Sequence, residues 1–206
     1  HYEVDPARIT VIAPGVDTER WTPRCGAATD GGPIRILFTG GDFDRKGGRM
    51  LLDWYGSSLD AERCELHIVT RDEVDERPGV RVYRGMQNNS DDLVRLAQSC
   101  DLFVLPTTAD CFSLASMEAM AAGLPAITTT VGGIPDIIED GESGYLIAAN
   151  DAAALARAIA TAIADRDRLH AMGRAARERI EQHFDARKNT RRVVDAILAE
   201  IEAGRG

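Results

Sequence analysis

Short apolar runs alternate with stretches of helical periodicity along this chain. The runs are typical of buried strands and lie at residues 34–39, 66–70, 80–83, 102–105, 126–129 and 144–147. Helical spacing of apolar residues predicts helices at 46–55, 91–99, 114–122 and 134–139, and from Asp151 to the end with breaks near Asp165 and Phe184. Strands that alternate with helices predict an α/β fold, with an open parallel sheet covered by helices on both faces.

The length and composition are those of an ordinary globular domain. The chain has 206 residues, of which 44% are hydrophobic and 28% charged. No internal repeat or low-complexity tract interrupts it, so we expect a single domain over residues 1–206. The chain begins at His1 without a start methionine, which suggests that it is a piece of a longer protein.

Charge and cysteine content exclude several classes of function. The formal net charge of −9 argues against nucleic-acid or anionic-membrane binding, which needs a basic face. The four cysteines, Cys25, Cys64, Cys100 and Cys111, are widely spread without a Cys-x-x-Cys motif, so we expect no metal site and reduced thiols in the cytoplasm. No apolar stretch approaches the roughly 18 residues of a membrane helix, so we expect no integral membrane segment.

Two carboxylates follow the predicted strand at residues 102–105. Asp110 lies in the loop after that strand, and Glu118, eight positions later, lies one turn inside the next predicted helix. Ligands of open α/β sheets bind outside the carboxyl ends of the strands. A carboxylate pair there can accept hydrogen bonds from hydroxyl groups, such as those of a sugar. Taken singly, each acid is better explained as an ordinary residue, Asp110 as a turn cap and Glu118 as a solvated helix residue, because charged residues are mostly exposed.

The predicted helix that carries Glu118 has further candidate features. Its predicted core stripe is Leu114, Met117 and Met120, and Glu118 borders that stripe, where a carboxylate needs a partner. The backbone amides at the helix start suit a phosphate or sugar oxygen, and they belong to Phe112, Ser113 and Leu114.

A glycine-rich loop at residues 40–48 follows the first predicted strand and opens a helix. Gly40 and Gly41 allow close approach of the backbone to a ligand, and a helix N-terminus favours anions. Arg45 and Lys46 add positive charge. The loop lacks the Gly-Lys-Ser/Thr and Gly-x-Gly-x-x-Gly spacings of known phosphate loops. It therefore has two interpretations, a diphosphate-binding loop or an ordinary strand-to-helix turn.

Several motifs occur together and in order. They are Pro14-Gly15-Val16-Asp17, Phe38-Thr39-Gly40 with Lys46-Gly47, Asp101-Leu102-Phe103-Val104-Leu105-Pro106, Asp110 seven residues before Glu118-Ala119-Met120-Ala121-Ala122-Gly123-Leu124-Pro125, Gly132-Gly133, and Asp140-Gly141 with Gly144-Tyr145-Leu146. The combination resembles the C-terminal domain of family 4 retaining glycosyltransferases. That family has the GT-B fold, in which two Rossmann-like domains face each other across a cleft.

The resemblance implies that this chain is the donor-binding half, with a core at about residues 9–184 and a terminal crossover helix at 185–206. The N-terminal acceptor domain would be absent here and would be its partner in the full-length protein. The full-length protein would be a retaining hexosyltransferase-type enzyme, and the isolated domain would be inactive. The nucleotide-diphosphate sugar, with UDP or GDP, would be a substrate, and no cofactor is implied.

The resemblance also implies roles for single residues. Glu118 would bind the ribose hydroxyls, Asp110 the donor-sugar hydroxyls and Lys46 the diphosphate. The nucleotide base would lie near Arg84-Gly85-Met86, with Met86 as the donor-binding residue. The other donor-binding positions would be Gly40 and Gly41 in the loop, and the amides of Phe112, Ser113 and Leu114.

The chain departs from the family pattern at two positions. Aspartate stands at 110 where the family has glutamate, which shortens the side chain by about 1.5 Å. Gly41 stands where the family has arginine, and Arg45 is our candidate replacement. The catalytic residues would then be Lys46, Arg45 and Asp110. These departures leave open a non-catalytic nucleotide-sugar-binding module. A GT-B-fold epimerase is a second alternative, for which the sequence contains no specific motif.

The last predicted helix has an apolar stripe that a single domain need not bury. We expect part of this stripe to be exposed, because in the family the final helix crosses back to the N-terminal domain. The stripe consists of Val193, Val194, Ile197, Leu198 and Ile201.

Overall fold

The computed structural model describes residues 5, 9–24 and 31–203, so Cys25 and both chain ends lie outside the described residues. Its strands are β1 (Ile34–Thr39), β2 (Cys64–Val69), β3 (Val80–Tyr83), β4 (Leu102–Leu105), β5 (Ala126–Thr129) and β6 (Gly144–Ile147). Its α-helices are α1 (Gly48–Ser57), α2 (Asp91–Gln98), α3 (Leu114–Ala121), α4 (Ile134–Ile137), α5 (Ala152–Ile163), α6 (Arg166–His183) and α7 (Ala186–Ala203).

The six strands of the described residues form one parallel sheet with the order β3-β2-β1-β4-β5-β6. This is the strand order of a doubly wound, Rossmann-like sheet, and it confirms the predicted fold class. After β3 the chain crosses back over the sheet to place β4 on the other side of β1. The loops that leave β1 and β4 therefore run in opposite directions, and a crevice opens between them.

The central strands are buried on both faces, which explains their continuous apolar runs. Every residue of β4 and β5 is buried. The bounds predicted for β1, β3, β4, β5 and β6 agree with the structure. The prediction for β2 was two residues too late at its start and one residue too late at its end. Its pairing with β1 already begins at Cys64, opposite Ile34, and ends at Val69.

A left-handed glycine sets the start of α1. Gly47 has a φ of 80°, so the helix begins at Gly48 rather than at residue 46 as predicted. A Cβ atom on Gly47 would lie 2.1 Å from the carbonyl oxygen of Pro106, just beyond β4. Only glycine fits this contact, and it locks the loop after β1 against the loop after β4. Lys46 consequently lies in the turn before the helix and not on the helix.

The start of α7 is anchored to the domain, whereas its later turns are not. The amide of Val16 donates to the carbonyl of Phe184 over 2.9 Å, and the buried Asn189 donates through Nδ2 to the carbonyl of Ala13 over 3.1 Å. The five residues of the apolar stripe at 193–201 are each 41–55% exposed, which confirms the predicted exposure. Among the described residues, no helix is long and apolar enough to cross a membrane.

Candidate functional site

A cleft of about 510 Å³ lies at the carboxyl ends of β1 and β2, beside the point where the strand order reverses. Its walls come from the loop after β1, the loop after β2, the segment before α2, and the first turns of α3 with the loop before them. Most of the residues predicted for the site line this cleft: Gly40, Gly41, Lys46, Met86, Asp110, Phe112, Ser113, Leu114 and Glu118. The topology therefore brings together residues from 40 to 118.

A second cleft, of about 560 Å³, lies at the opposite edge of the sheet. It is bordered by Asp101, which precedes β4, and by Pro125, which precedes β5. It therefore lies at the amino ends of the strands, where open α/β sheets do not usually bind their ligands. We therefore assign the candidate site to the cleft at the carboxyl ends.

Lys46 and Asp110 form an ion pair in the wall of this cleft. Lys46 Nζ lies 2.5 Å from Asp110 Oδ2, and the two side chains are only 17% and 12% exposed. A Cβ atom on Gly40 would lie 2.9 Å from Lys46 Cβ, so the glycine makes room for the lysine stem. Water and salt screen a partly buried pair less than a surface pair. Asp110 thus holds the ammonium group in place and balances its charge.

Glu118 lies on α3 and faces the cleft without such a partner. It is half-buried, and no ion pair or hydrogen bond reaches its carboxylate from the described part of the chain. Trp21, Leu37 and Phe103 lie beside it in the wall of a small apolar cavity. Burial alone raises the pKa of the Glu118 carboxyl from 4.5 to about 7. A desolvated acid in a cleft is a recognised mark of a functional site.

The N-terminus of α3 points its first turn at the cleft. Ser113 is buried and caps the helix, with its Oγ accepting from the Ser116 amide at 3.2 Å. Leu114 is 52% exposed at the cleft, so its predicted place in the core stripe was wrong. The helix turns Leu114 outward, whereas Met117 and Met120 are fully buried. In the described structure, the amides of Phe112 and Leu114 donate to no protein acceptor, so they are available to an anion.

Two glycines support the loop that carries Asp110. The Gly133 amide donates to the Cys111 carbonyl over 2.8 Å, and a Cβ atom on Gly132 would lie 2.1 Å from the Asp110 carbonyl oxygen. Neither glycine lines the cleft. The Gly132-Gly133 motif is therefore a close packing contact behind the site.

The two arginines nearest the glycine loop differ in their surroundings. Arg45 Nε donates to Asp42 Oδ2 at 2.9 Å, and Arg45 Nη1 donates to the Ala109 carbonyl at 2.8 Å. Arg45 does not line the cleft. Arg71, in the loop after β2, does line it, although nothing in the sequence pattern singled it out.

The wall near Met86 contains two asparagines that the sequence analysis missed. Asn89 has a φ of 58°, and its Oδ1 accepts from Trp21 Nε1 at 2.8 Å. Asn88 lines the cleft beside it. The Asn-Asn pair just before α2 could have predicted a turn with left-handed backbone, because asparagine tolerates that conformation.

Metal ligands do not cluster in the described structure. Residues 5, 9–24 and 31–203 contain no group of three or more His, Cys, Asp and Glu side chains that could hold a metal ion. Cys64, Cys100 and Cys111 are free thiols. Burial raises the pKa of Cys64 to about 11 and that of Cys100 to about 12. Both thiols are therefore protonated near neutral pH.

Residues 77–179, half of the chain, match the family model described as glycosyl transferases group 1. The chain belongs to this family. The matched segment includes Asp110, Glu118 and all of α3, but not the glycine loop.

Individual relatives and solved structures agree with that family assignment. The D-inositol 3-phosphate glycosyltransferase of Geodermatophilus obscurus is 29% identical over 98% of this chain and 49% of its own length. Sucrose-phosphate synthase from Thermosynechococcus elongatus superposes with a TM-score of 0.81 at 22% identity, over 93% of this chain and 52% of that one. HepE from Anabaena, solved in complex with UDP-glucose, superposes with a TM-score of 0.77 at 17% identity, over 92% and 57%. The chain thus spans about half the length of these relatives.

Proposed function

We propose that this chain is the donor-binding half of a retaining glycosyltransferase and that the cleft at the carboxyl ends of β1 and β2 holds a nucleotide-diphosphate sugar. One observation carries the proposal. The same cleft contains a cation beside the glycine loop, open amides at a helix N-terminus, and a desolvated carboxylate on the same helix. A nucleotide sugar offers matching groups, since its diphosphate is anionic and its ribose and sugar carry hydroxyls.

The chemistry of each wall suggests an orientation for the donor. The diphosphate lies between Lys46 and the first turn of α3, where the helix dipole favours negative charge. Glu118 accepts hydrogen bonds from the ribose hydroxyls. The base extends towards Met86, away from the glycine loop. Asp110 lies next to Lys46 and is the acid available to the hydroxyls of the transferred sugar.

The proposed reaction breaks the bond between the sugar and the diphosphate. Negative charge grows on the leaving diphosphate as positive character grows on the sugar ring. Groups that interact more strongly with that developing charge than with the bound donor lower the barrier. Lys46 and the α3 amides are the groups placed for this role. Asp110 keeps the ammonium group in position before the donor binds.

The acceptor side of the reaction is assigned to another part of the protein. The family relatives are about twice as long as this chain, which supports a second domain. The exposed stripe on α7 supports a contact with that domain, since five neighbouring apolar side chains gain by burial. The cytoplasm is the proposed location.

Titration calorimetry of this chain against UDP, GDP, ADP and their sugars tests the donor-site proposal. We expect one nucleotide family to bind, and we expect Glu118→Ala to weaken its binding about tenfold or more, through lost hydrogen bonds to a charged group. The control is Glu178→Ala, which removes an exposed acid from the second cleft. A nucleotide affinity that Glu118→Ala leaves unchanged contradicts the proposed ribose contact. Binding of the full-length protein without any transfer would instead support a non-catalytic module.

A further inference from the structure

The two cations of the glycine loop are already committed to protein acceptors. The Lys46 ammonium group is paired with Asp110 at 2.5 Å. The Arg45 guanidinium is held by Asp42 and by the Ala109 carbonyl. A diphosphate needs more than one strong donor, because its oxygens carry two negative charges. The loop alone therefore supplies less positive charge than its sequence suggests.

Arg71 supplies an uncommitted guanidinium to the same cleft. It follows β2, which is hydrogen-bonded to β1, so the two strand ends place residue 71 beside the glycine loop. Arg71 is exposed, and in the described structure its guanidinium has no ion pair and no hydrogen bond. The cleft that it lines also contains Lys46 and the open amides of α3.

The Arg71 guanidinium lies beside Gly41, where a side chain longer than a methyl group would compete with it for space. A Cβ atom built on Gly41 would lie 3.7 Å from Arg71 Nε and 3.9 Å from Arg71 Cζ, with no other atom within 4 Å. The backbone of Gly41 is not left-handed, so a larger side chain would be tolerated there. Positions 41 and 71 therefore share one space above the loop, and a side chain from either position can fill it.

We propose that Arg71 binds the donor diphosphate in this cleft, through the space that Gly41 leaves open. This inference rests on the proposed function of the cleft. A guanidinium presents a planar fork of N–H donors that matches phosphate oxygens, and it stays charged throughout the working pH range. Arg71 then supplies a second cation to the cleft that Lys46 also lines, from the loop after β2 rather than from the glycine-rich loop after β1.

The test compares Arg71→Ala with the unaltered chain by calorimetry. The ligands are whichever of UDP, GDP and ADP binds most tightly, and the corresponding nucleoside, which lacks phosphate. We expect Arg71→Ala to weaken the nucleoside diphosphate about 10- to 100-fold, as for a lost hydrogen bond to a charged group, and to leave the nucleoside unchanged. The matched control is Arg157→Ala, an exposed arginine on α5.

A relocation variant tests the shared space directly. Gly41→Arg combined with Arg71→Ala returns a guanidinium to the same place from the other loop. We expect this double variant to recover most of the lost affinity. If it stays folded by thermal unfolding yet remains as weak as Arg71→Ala, the shared-space inference is overturned.

The outcomes separate this inference from the proposed function. If Arg71→Ala leaves the diphosphate affinity unchanged while Glu118→Ala weakens it, the Arg71 assignment fails and the donor site stands. An equal loss for the diphosphate and the nucleoside also overturns the assignment, because the arginine would then act on the nucleoside part. If the unaltered chain binds none of the nucleotides, the proposed function itself fails.

Discussion

Asp110 and Glu118 are two acids on one wall of one cleft, but the surrounding protein provides a cationic partner only for Asp110. Asp110 has a lysine ammonium 2.5 Å away. Glu118 has no partner in the described structure, and burial raises its pKa to about 7. The backbone path explains why only Asp110 has a partner. Lys46 directly precedes the left-handed Gly47 and contacts Asp110, which lies in the loop about one turn before α3.

This difference divides the cleft into two chemical regions. At the Asp110 end, a lysine is held in place before any ligand arrives, and the open amides of Phe112 and Leu114 beside it can donate to an anion. The Glu118 end is ready for hydroxyl groups, because a desolvated carboxylate gains strongly from each hydrogen bond that it accepts. A nucleotide sugar satisfies both regions at once.

The largest predicted effect concerns Lys46, at the Asp110 end of the cleft. In a full-length enzyme that contains this chain, Lys46→Ala should lower the rate of transfer by about 10²–10³, the typical cost of losing one donor to developing charge. Steady-state kinetics with saturating donor measure this loss. Arg157→Ala is the control. A Lys46→Ala enzyme with near-normal turnover would remove Lys46 from the mechanism.

The next effect concerns Glu118 and the pH dependence of the free energy of unfolding. The pKa of Glu118 is higher in the folded chain, at about 7, than its ordinary value of 4.5. Protonation of Glu118 therefore stabilises the folded state. This contribution to the free energy of unfolding is complete below pH 4.5 and is lost as the pH rises through 7. We expect the free energy of unfolding to fall by about 2–3 kcal/mol over this range because of Glu118.

Urea unfolding at pH 5 and pH 8 checks the stability prediction. Glu118→Gln should remove that part of the decline, whereas Glu178→Gln should leave it in place. If Glu118→Gln loses stability between these pH values as steeply as the unaltered chain, Glu118 is not desolvated as the structure indicates.

The smallest effect concerns the ion pair itself. A double-mutant cycle with Lys46→Met and Asp110→Asn should give a coupling energy of about 1 kcal/mol, near the upper end for pairs with some exposure. A matching cycle with Lys46→Met and Glu118→Gln should give no more than about 0.5 kcal/mol, because no ion pair joins those residues in the described structure. Equal coupling energies in the two cycles would contradict the conclusion that Lys46 is paired with Asp110 and not with Glu118.

The sequence predicted the elements whose burial is uniform. Five strands were located with correct bounds because both faces of the sheet are covered, so each strand is a continuous apolar run. The start of α1 was misplaced because the conformation of Gly47 depends on a contact with Pro106, which is distant in sequence. Leu114 was misplaced because helical periodicity cannot tell a first turn that borders a cleft from one that borders the core.

The sequence predicted those residues of the candidate site that belong to recognisable motifs. The cleft gathers nine of the predicted residues, and their individual roles remain predictions. Arg71 escaped the sequence analysis because it belongs to no motif and reaches the site only through the pairing of β2 with β1. Arg45 had the right charge and sequence position, but its side chain turns to Asp42.

A crystal structure of this chain, soaked with the nucleotide sugar that it binds most tightly, would show where the donor lies. We predict the ribose hydroxyls within hydrogen-bond distance of the Glu118 carboxylate, and the diphosphate between Lys46 and the first turn of α3. A nucleotide bound in the second cleft, at the amino ends of β4 and β5, would contradict the account.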